Sequence, residues 1–194
     1  LFTSDNGPWL NYGDHAGSAY PLREGKGTTF DGGCREPTLA WWPGKIPSNS
    51  VCSEPAMTID LLPTIAELIG AELPEHKIDG KSILSLMLDD HAKSPQEAYY
   101  FFNGNQLQAV RQGKWKLHFP HGYRTMAGMT AGTGGIPTNY SQAKIDTSLF
   151  DLEKDMGESV NLKSKFPKVV ERLSSLGTKF LKDLKASTRP VGKI

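Results

Sequence analysis

Two short segments carry residues able to act on an anionic ester. Phe2-Thr3-Ser4-Asp5-Asn6-Gly7-Pro8 sets a carboxylate beside a neutral amide oxygen at a strand end, and Gly25-Lys26-Gly27-Thr28-Thr29-Phe30-Asp31-Gly32-Gly33-Cys34-Arg35-Glu36-Pro37 holds a lysine between glycines. Neighbouring side chains leave a strand on opposite faces, so Asp5 and Asn6 converge on one ion only where the backbone turns, and Gly7-Pro8 supplies the turn. Hard oxygen donors suit calcium or magnesium rather than zinc, and calcium takes about six to eight of them, so this pair is part of a site and not the whole. Read alone, Asp-Asn-Gly-Pro is simply a good turn. Lys26 offers a point charge to an oxyanion, and its glycine neighbours leave room for a ligand to approach. A lone Gly-Lys-Gly reads equally as a solvated loop lysine. It is not a nucleotide phosphate loop, because Tyr20 stands where that pattern needs glycine and Gly27 where it needs Ser or Thr. Gly32-Gly33 and Arg35-Glu36-Pro37 read as scaffold, with Arg35 or Glu36 in a structural ion pair.

The elements that must position these residues divide into two regions, 1–92 and 93–194. In the first, a short strand ends at Ser4, a glycine-rich loop follows, and a strand runs through Pro37-Thr38-Leu39-Ala40-Trp41-Trp42. A helix then spans residues 58–69, with Thr58 or Asp60 capping its start and Gly70 its left-handed exit. This is α/β grammar. Beyond the polar stretch at residues 89–95 the pattern changes. Tyr99-Tyr100-Phe101-Phe102, Leu107-Gln108-Ala109-Val110-Arg111, Lys114-Trp115-Lys116-Leu117-His118-Phe119 and Ser148-Leu149-Phe150-Asp151-Leu152 read as four strands, the second and third joined by a two-residue turn at Gln112-Gly113. Phe166, Val169, Val170, Leu173, Leu176, Phe180, Leu181 and Leu184 recur at helical spacing, the pattern of a C-terminal helix covering an antiparallel sheet. Residues 120–147 form a Gly-, Thr- and Met-rich connection, long enough to be either functional or mobile.

Composition sets outer limits. The chain has 194 residues, 38% hydrophobic, with 22 basic against 21 acidic side chains and a net charge of +1. Nothing in that balance nominates nucleic acid or an anionic membrane as a partner. No apolar stretch approaches the roughly 20 residues of a membrane span. Cys34 and Cys52 leave one disulfide open, and Asn139-Tyr140-Ser141 matches a glycosylation acceptor pattern too short to carry weight. The first residues read as mid-strand with no initiator methionine, which points to a longer parent chain.

In their order, these segments resemble the sulfatase family, in particular arylsulfatases of the alkaline-phosphatase-like superfamily. The likeness rests on Leu1-Phe2-Thr3-Ser4-Asp5-Asn6-Gly7, on Leu22-Arg23-Glu24 running into the lysine segment, on Trp42-Pro43-Gly44, Ile59-Asp60-Leu61-Leu62-Pro63-Thr64, Ile78-Asp79-Gly80 and Gly113-Lys114-Trp115-Lys116, and on Leu149-Phe150-Asp151-Leu152 before Asp155 and Asn161-Leu162. It implies the C-terminal part of an alkaline-phosphatase-like α/β sandwich, followed by a small antiparallel four-stranded sheet packed on a C-terminal helix. It implies a sulfuric ester hydrolase whose substrate is a sulfated small molecule or carbohydrate. Residue by residue, Asp5 and Asn6 correspond to two ligands of one calcium ion, the remaining ligands lying upstream, and Lys26 to a catalytic lysine contacting the sulfate. The family's formylglycine nucleophile has no counterpart here, since Cys34-Arg35-Glu36-Pro37 and Cys52-Ser53-Glu54-Pro55 place the proline one position late. The missing N-terminal part is thus an implied partner, and the chain alone is expected to be inactive. His118, less securely His121, and His15 are expected either at the mouth of the pocket against the leaving group or as packing or surface residues. An exported location, periplasmic, secreted or lysosomal, is also implied. Two alternatives stand beside this reading: a phosphomonoester or phosphonate-ester hydrolase of the same superfamily, and a noncatalytic interaction module.

Overall fold

Residues 1–189 are described by a computed structural model; residues 190–194, the end of the predicted C-terminal region, lie outside the described residues. In chain order the elements are β1 (Phe2–Thr3), a 3-10 segment (Leu10–His15), α1 (Asp31–Cys34), β2 (Thr38–Leu39), a 3-10 turn (Thr58–Asp60), α2 (Leu61–Ile69), α3 (Leu84–Leu88), β3 (Tyr99–Asn103), β4 (Gln106–Gln112), β5 (Trp115–His118), β6 (His121–Thr125), β7 (Ser141–Ile145), β8 (Ser148–Asp151) and α4 (Pro167–Ser187). They group into two compact units that are not contiguous in sequence. One joins Leu1–Phe2 to Thr38–Glu97, and the other joins Thr3–Pro37 to the chain from Ala98 onward. Asp5, Asn6 and Lys26 therefore belong to the same unit as the small sheet.

In the first unit β1 and β2 form a two-stranded sheet. The predicted strand at residues 37–42 is reduced to Thr38–Leu39. The predicted helix is present as the 3-10 turn continued by α2, and Gly70 closes it at φ 66°. Its start differs from expectation, because neither the Thr58 nor the Asp60 side chain accepts a capping hydrogen bond from the α2 amides. The fully buried Asp60 carboxylate instead accepts from Met57 N (2.8 Å), Lys81 N (2.9 Å) and Gln96 Nε2 (2.8 Å). A buried carboxylate is held where most donors converge on it, and here those are loop amides. Phe2, Trp41, Val51 and Ile69 of this unit are broadly exposed.

In the second unit β3-β4-β5-β8 make a four-stranded sheet, antiparallel throughout. Ala98, Leu107, Val110, Leu117, Leu149 and Leu173 form the core, with Val169, Val170 and Leu176 of α4 packed against it. The tight turn sits one residue later than predicted: Gln112 pairs with Trp115, and Gly113 at φ 56° opens the two-residue loop. A bulge follows from the pairing of Phe101 with Ala109 and Phe102 with Leu107, which leaves Gln108 without an opposite residue. The bulge lets both Leu107 and Val110 reach Gly177 on α4 while the Gln108 side chain bonds Thr29 Oγ1 (3.1 Å). The sheet is thus covered on both faces, by α4 and by the segment around Phe30. Residues 120–147 are not a bare connection: β6 and β7 form a hairpin, His121 opposite Ile145 through Thr125 opposite Ser141. Its inward positions are His121, Tyr123 and Thr125, so a period of two is present without the aliphatic residues that make it visible in sequence.

Candidate functional site

The Asp5–Pro8 loop and the lysine segment pack backbone to backbone. Gly7 N donates to Gly33 O (3.1 Å) and Lys26 N to Pro8 O (3.0 Å). A Cβ on Gly7 would lie 1.8 Å from Gly32 O, one on Gly25 2.5 Å from Pro8 O, and one on Gly33 2.4 Å from Thr28 O. These glycines serve loop packing, and the space beside Lys26 that the sequence suggests for a ligand is filled by protein. On the Gly27 side it is filled by the guanidinium of Arg124, 2.4 Å from where a Cβ would stand.

The packing opens a cleft of about 290 Å³ lined by Asp5, Asn6, Gly27, Thr28, Thr29, Gly33, Cys34, Phe102 and Asn103. Asp5 is exposed and Asn6 half-buried. Lys26 is the lining residue Gly27's neighbour, but its own side chain is not part of the wall. Its ammonium lies over the Trp9 ring, 4.8 Å from the centroid, and makes no ion pair with any described residue. Glu36 adds a second carboxylate near Asp5: burial first, then the charge of Asp5, push its pKa up, and its Oε1 is buried without a hydrogen-bond partner among the described residues. Asp5 and Asn6 thus present hard oxygens to the cleft, a donor type that fits calcium or magnesium, with the Glu36 carboxylate close enough to feel the charge of Asp5. No cluster of three or more His, Cys, Asp or Glu suited to a metal occurs among the described residues. Cys34 donates to Thr28 O (3.3 Å), and burial pushes its thiol up to about 11; it and Cys52 are free thiols.

Behind the cleft lies a buried charge network that sequence reading missed. Lys116 Nζ, fully buried, is 2.7 Å from Asp31 Oδ1 and 3.0 Å from Glu158 Oε1. Glu158 Oε2 accepts from Asp31 N (2.6 Å), and its Oε1 also accepts from His118 Nε2 (2.8 Å). Burial opposes charge on Lys116, but the two carboxylates outweigh it and raise its pKa. Burial opposes charge on Glu158 as well, yet Lys116 and His118 hold it down to about 2. Arg35 completes the ion pair anticipated for it, 3.9 Å from Asp31 Oδ2. Arg23 spans the same region, donating to Glu158 O and Tyr123 Oη (both 2.8 Å) with its guanidinium 4.1 Å from the Phe30 centroid. Lys116 and His118 alternate with Trp115 and Leu117 along β5, and that placement of polar residues in a doubly covered strand was the available signal.

The histidines separate cleanly. His118 is fully buried and stacked on Phe30 at 4.7 Å, with burial lowering its pKa to about 4, and it does not line the cleft. His121 is also buried, bonded through Nδ1 to Phe119 O (2.7 Å). His15 is exposed near Asp14. The long tip of the β6–β7 hairpin is tied to the 3-10 segment, since Gly132 N and Thr138 N both donate to Asn11 O (3.0 Å) and Gly134 N donates to the Asp14 carboxylate (3.1 Å).

Residues 94–194 match the family described as the C-terminal region of aryl-sulfatase, and residues 1–71 match the sulfatase family. The chain belongs to the sulfatase family. It is 42% identical over 167 residues to arylsulfatase A of Bos taurus, covering 84% of this chain and 32% of that protein. It is 40% identical over 121 residues to N-acetylgalactosamine-6-sulfatase of Sus scrofa, covering 61% of this chain and 23% of that protein. The crystal structure of PsFucS1 sulfatase from Pseudoalteromonas sp. superposes with a TM-score of 0.82 at 26% identity, covering 98% of this chain and 38% of that one. The chain thus spans about a third of the length of the sulfatases it matches.

Proposed function

We propose that this chain is the C-terminal portion of a sulfuric ester hydrolase acting on a sulfated small molecule or carbohydrate in an exported or lysosomal compartment. The observation that supports it is the cleft in which Asp5 and Asn6 meet the Gly27-Thr28-Thr29 backbone, with an ammonium that has no ion-pair partner among the described residues one residue away. Asp5 and Asn6 would hold one calcium ion, together with ligands from an upstream part. Bound there, the cation would neutralise charge on the ester oxygens and polarise the sulfur. The nucleophile, a formylglycine in this reading, lies upstream as well. Lys26 swings from the Trp9 face to the sulfate and offsets the charge that builds on the departing oxygen. The Trp9 ring is a weak competitor, because an exposed cation–π contact is worth only about 0.5–1 kcal/mol. The buried network holds Asp31, and with it the lysine segment, against β5.

The full-length protein containing this chain is assayed for sulfate release from an aryl sulfate, with and without chelator. Calcium-dependent release that falls about 100- to 1000-fold in Lys26→Ala, with the fold intact, is the expected result. Phosphate release from the matching aryl phosphate with no sulfate release from the aryl sulfate, or unchanged turnover in the variant, would sink the assignment. The 194-residue chain alone should show no turnover.

A further inference from the structure

We infer that Arg124 is a positioning residue for Lys26, acting through the lysine's backbone carbonyl and not on the substrate; this rests on Lys26 being the sulfate-contacting lysine. Arg124 lies on β6, far from Lys26 in sequence. Its Nε donates to Lys26 O at 2.9 Å and its Nη2 donates to the same oxygen, so both arms of the guanidinium close on one acceptor. The flat group is held from behind by Tyr140, whose ring centroid is 4.6 Å from the guanidinium carbon. Tyr140 is fixed in turn, its hydroxyl accepting from Asn11 N at 3.4 Å.

On the amide side, Lys26 N donates to Pro8 O in the loop that carries Asp5 and Asn6. Both backbone polar groups of Lys26 are therefore tied to separate segments, one next to the cation-facing oxygens and one on the hairpin. The flanking glycines are what let the two clamps close. Gly25 makes way for Pro8 O, and Gly27, at φ +82° where other residues are strained, makes way for Arg124. A lysine ammonium sits at the end of a flexible stem, so its placement depends on how firmly the stem's root is fixed. A misplacement of about 1 Å in a reacting group costs about 100-fold in rate.

The test begins with sulfate release by the unmodified full-length enzyme, and a protein that hydrolyses no sulfate ester defeats the proposed function before Arg124 is addressed. With an active enzyme, Arg124→Ala should lower kcat about 10- to 100-fold, with a smaller change in KM. The deciding comparison is the double variant. Because Arg124 acts through Lys26, Lys26→Ala with Arg124→Ala should be no slower than Lys26→Ala alone, whereas losses that multiply would show an independent structural role and overturn the inference. Wild-type kcat in Arg124→Ala would overturn it too. If that variant fails to fold, Gly27→Ala, which drives a Cβ into the guanidinium, is expected to give the same non-additive loss with Lys26→Ala. A readout independent of activity is amide hydrogen exchange in the full-length protein. Exchange at Lys26 should quicken in Arg124→Ala while the β4 and β5 amides keep their protection, and unaltered exchange at Lys26 would count against the clamp whatever the enzyme hydrolyses.

Discussion

Replacing Lys116 by methionine removes the one ammonium shared by two buried carboxylates and keeps most of the side-chain volume. Lys116, Asp31 and Glu158 are each at most 2% exposed, with the ammonium at 2.7 and 3.0 Å from the two acids. Breaking a buried pair from one side costs about 3–5 kcal/mol, and leaving two acids without their cation puts this case at the upper end. Total stability is about 5–15 kcal/mol, so the loss is a large share of it. His118 modulates the outcome. Its Nε2 is 2.8 Å from Glu158, and the charge of Lys116 helps hold the imidazole neutral. With Lys116 gone, His118 is the group best placed to take up a proton and replace the missing cation. In the wild type the unfolded chain binds the His118 proton more readily than the native state, so stability rises with pH through that window. In Lys116→Met burial still lowers the His118 pKa, but the opposing charge of Lys116 is gone while Glu158 still raises it, so the slope flattens. Urea unfolding of both proteins at pH 5.5 and 7.5 measures this directly. We expect the deficit at pH 7.5 to exceed that at pH 5.5 by about 1 kcal/mol or more, the worth of one pKa unit. A deficit below about 1 kcal/mol at pH 7.5, against the cost expected for a broken buried pair, would refute the reasoning. So would equal deficits at both pH values.

Two further expectations concern the unmodified chain and its glycines. Wild-type stability should fall as pH drops from 6.5 to about 4, where the unfolded chain protonates the histidine and the native state does not; that gap corresponds to about 3 kcal/mol. It should fall again as pH drops from 4.5 to about 2, as Glu158 gives up its ionised form, and a flat urea midpoint between pH 7 and 4 would contradict the burial of His118. Gly7→Ala places a Cβ 1.8 Å from Gly32 O, a backbone atom that cannot step aside, and should destabilise by about 1–3 kcal/mol or more. Gly122→Ala, with its nearest neighbour at 3.7 Å and no positive φ, serves as the near-neutral control, and equal losses in the two would show that loop packing is not the cause.

Much of this protein is legible from local pattern. Leucine, valine and phenylalanine spacing marks α4, short aromatic and aliphatic runs bounded by turn residues mark the four strands of the small sheet, and the glycines around Lys26 single out the segment that borders the cleft. All of these are signals carried within a few residues of one another, and periodicity is what such signals encode. The pairing of Lys116 with Asp31 and Glu158 was decided elsewhere, because each of those residues taken alone looks like a solvated charge. Glu158 even sits at φ 49°, in a turn that sequence marks only as irregular. The β6–β7 hairpin was hidden for a related reason, its inward side chains being His, Tyr and Thr rather than aliphatic.

The glycines show the division most sharply. Their sequence determines that side chains are missing at 7, 25, 27, 32 and 33, and nothing in it says what takes their place. Only the folded chain decides that Gly32 O, Pro8 O, the Arg124 guanidinium, Glu24 O and Thr28 O, in that order, occupy those spaces. A Cβ is excluded by whatever atom approaches through the fold, and the approach of β6 to Lys26 is a long-range contact that no spacing along the chain records.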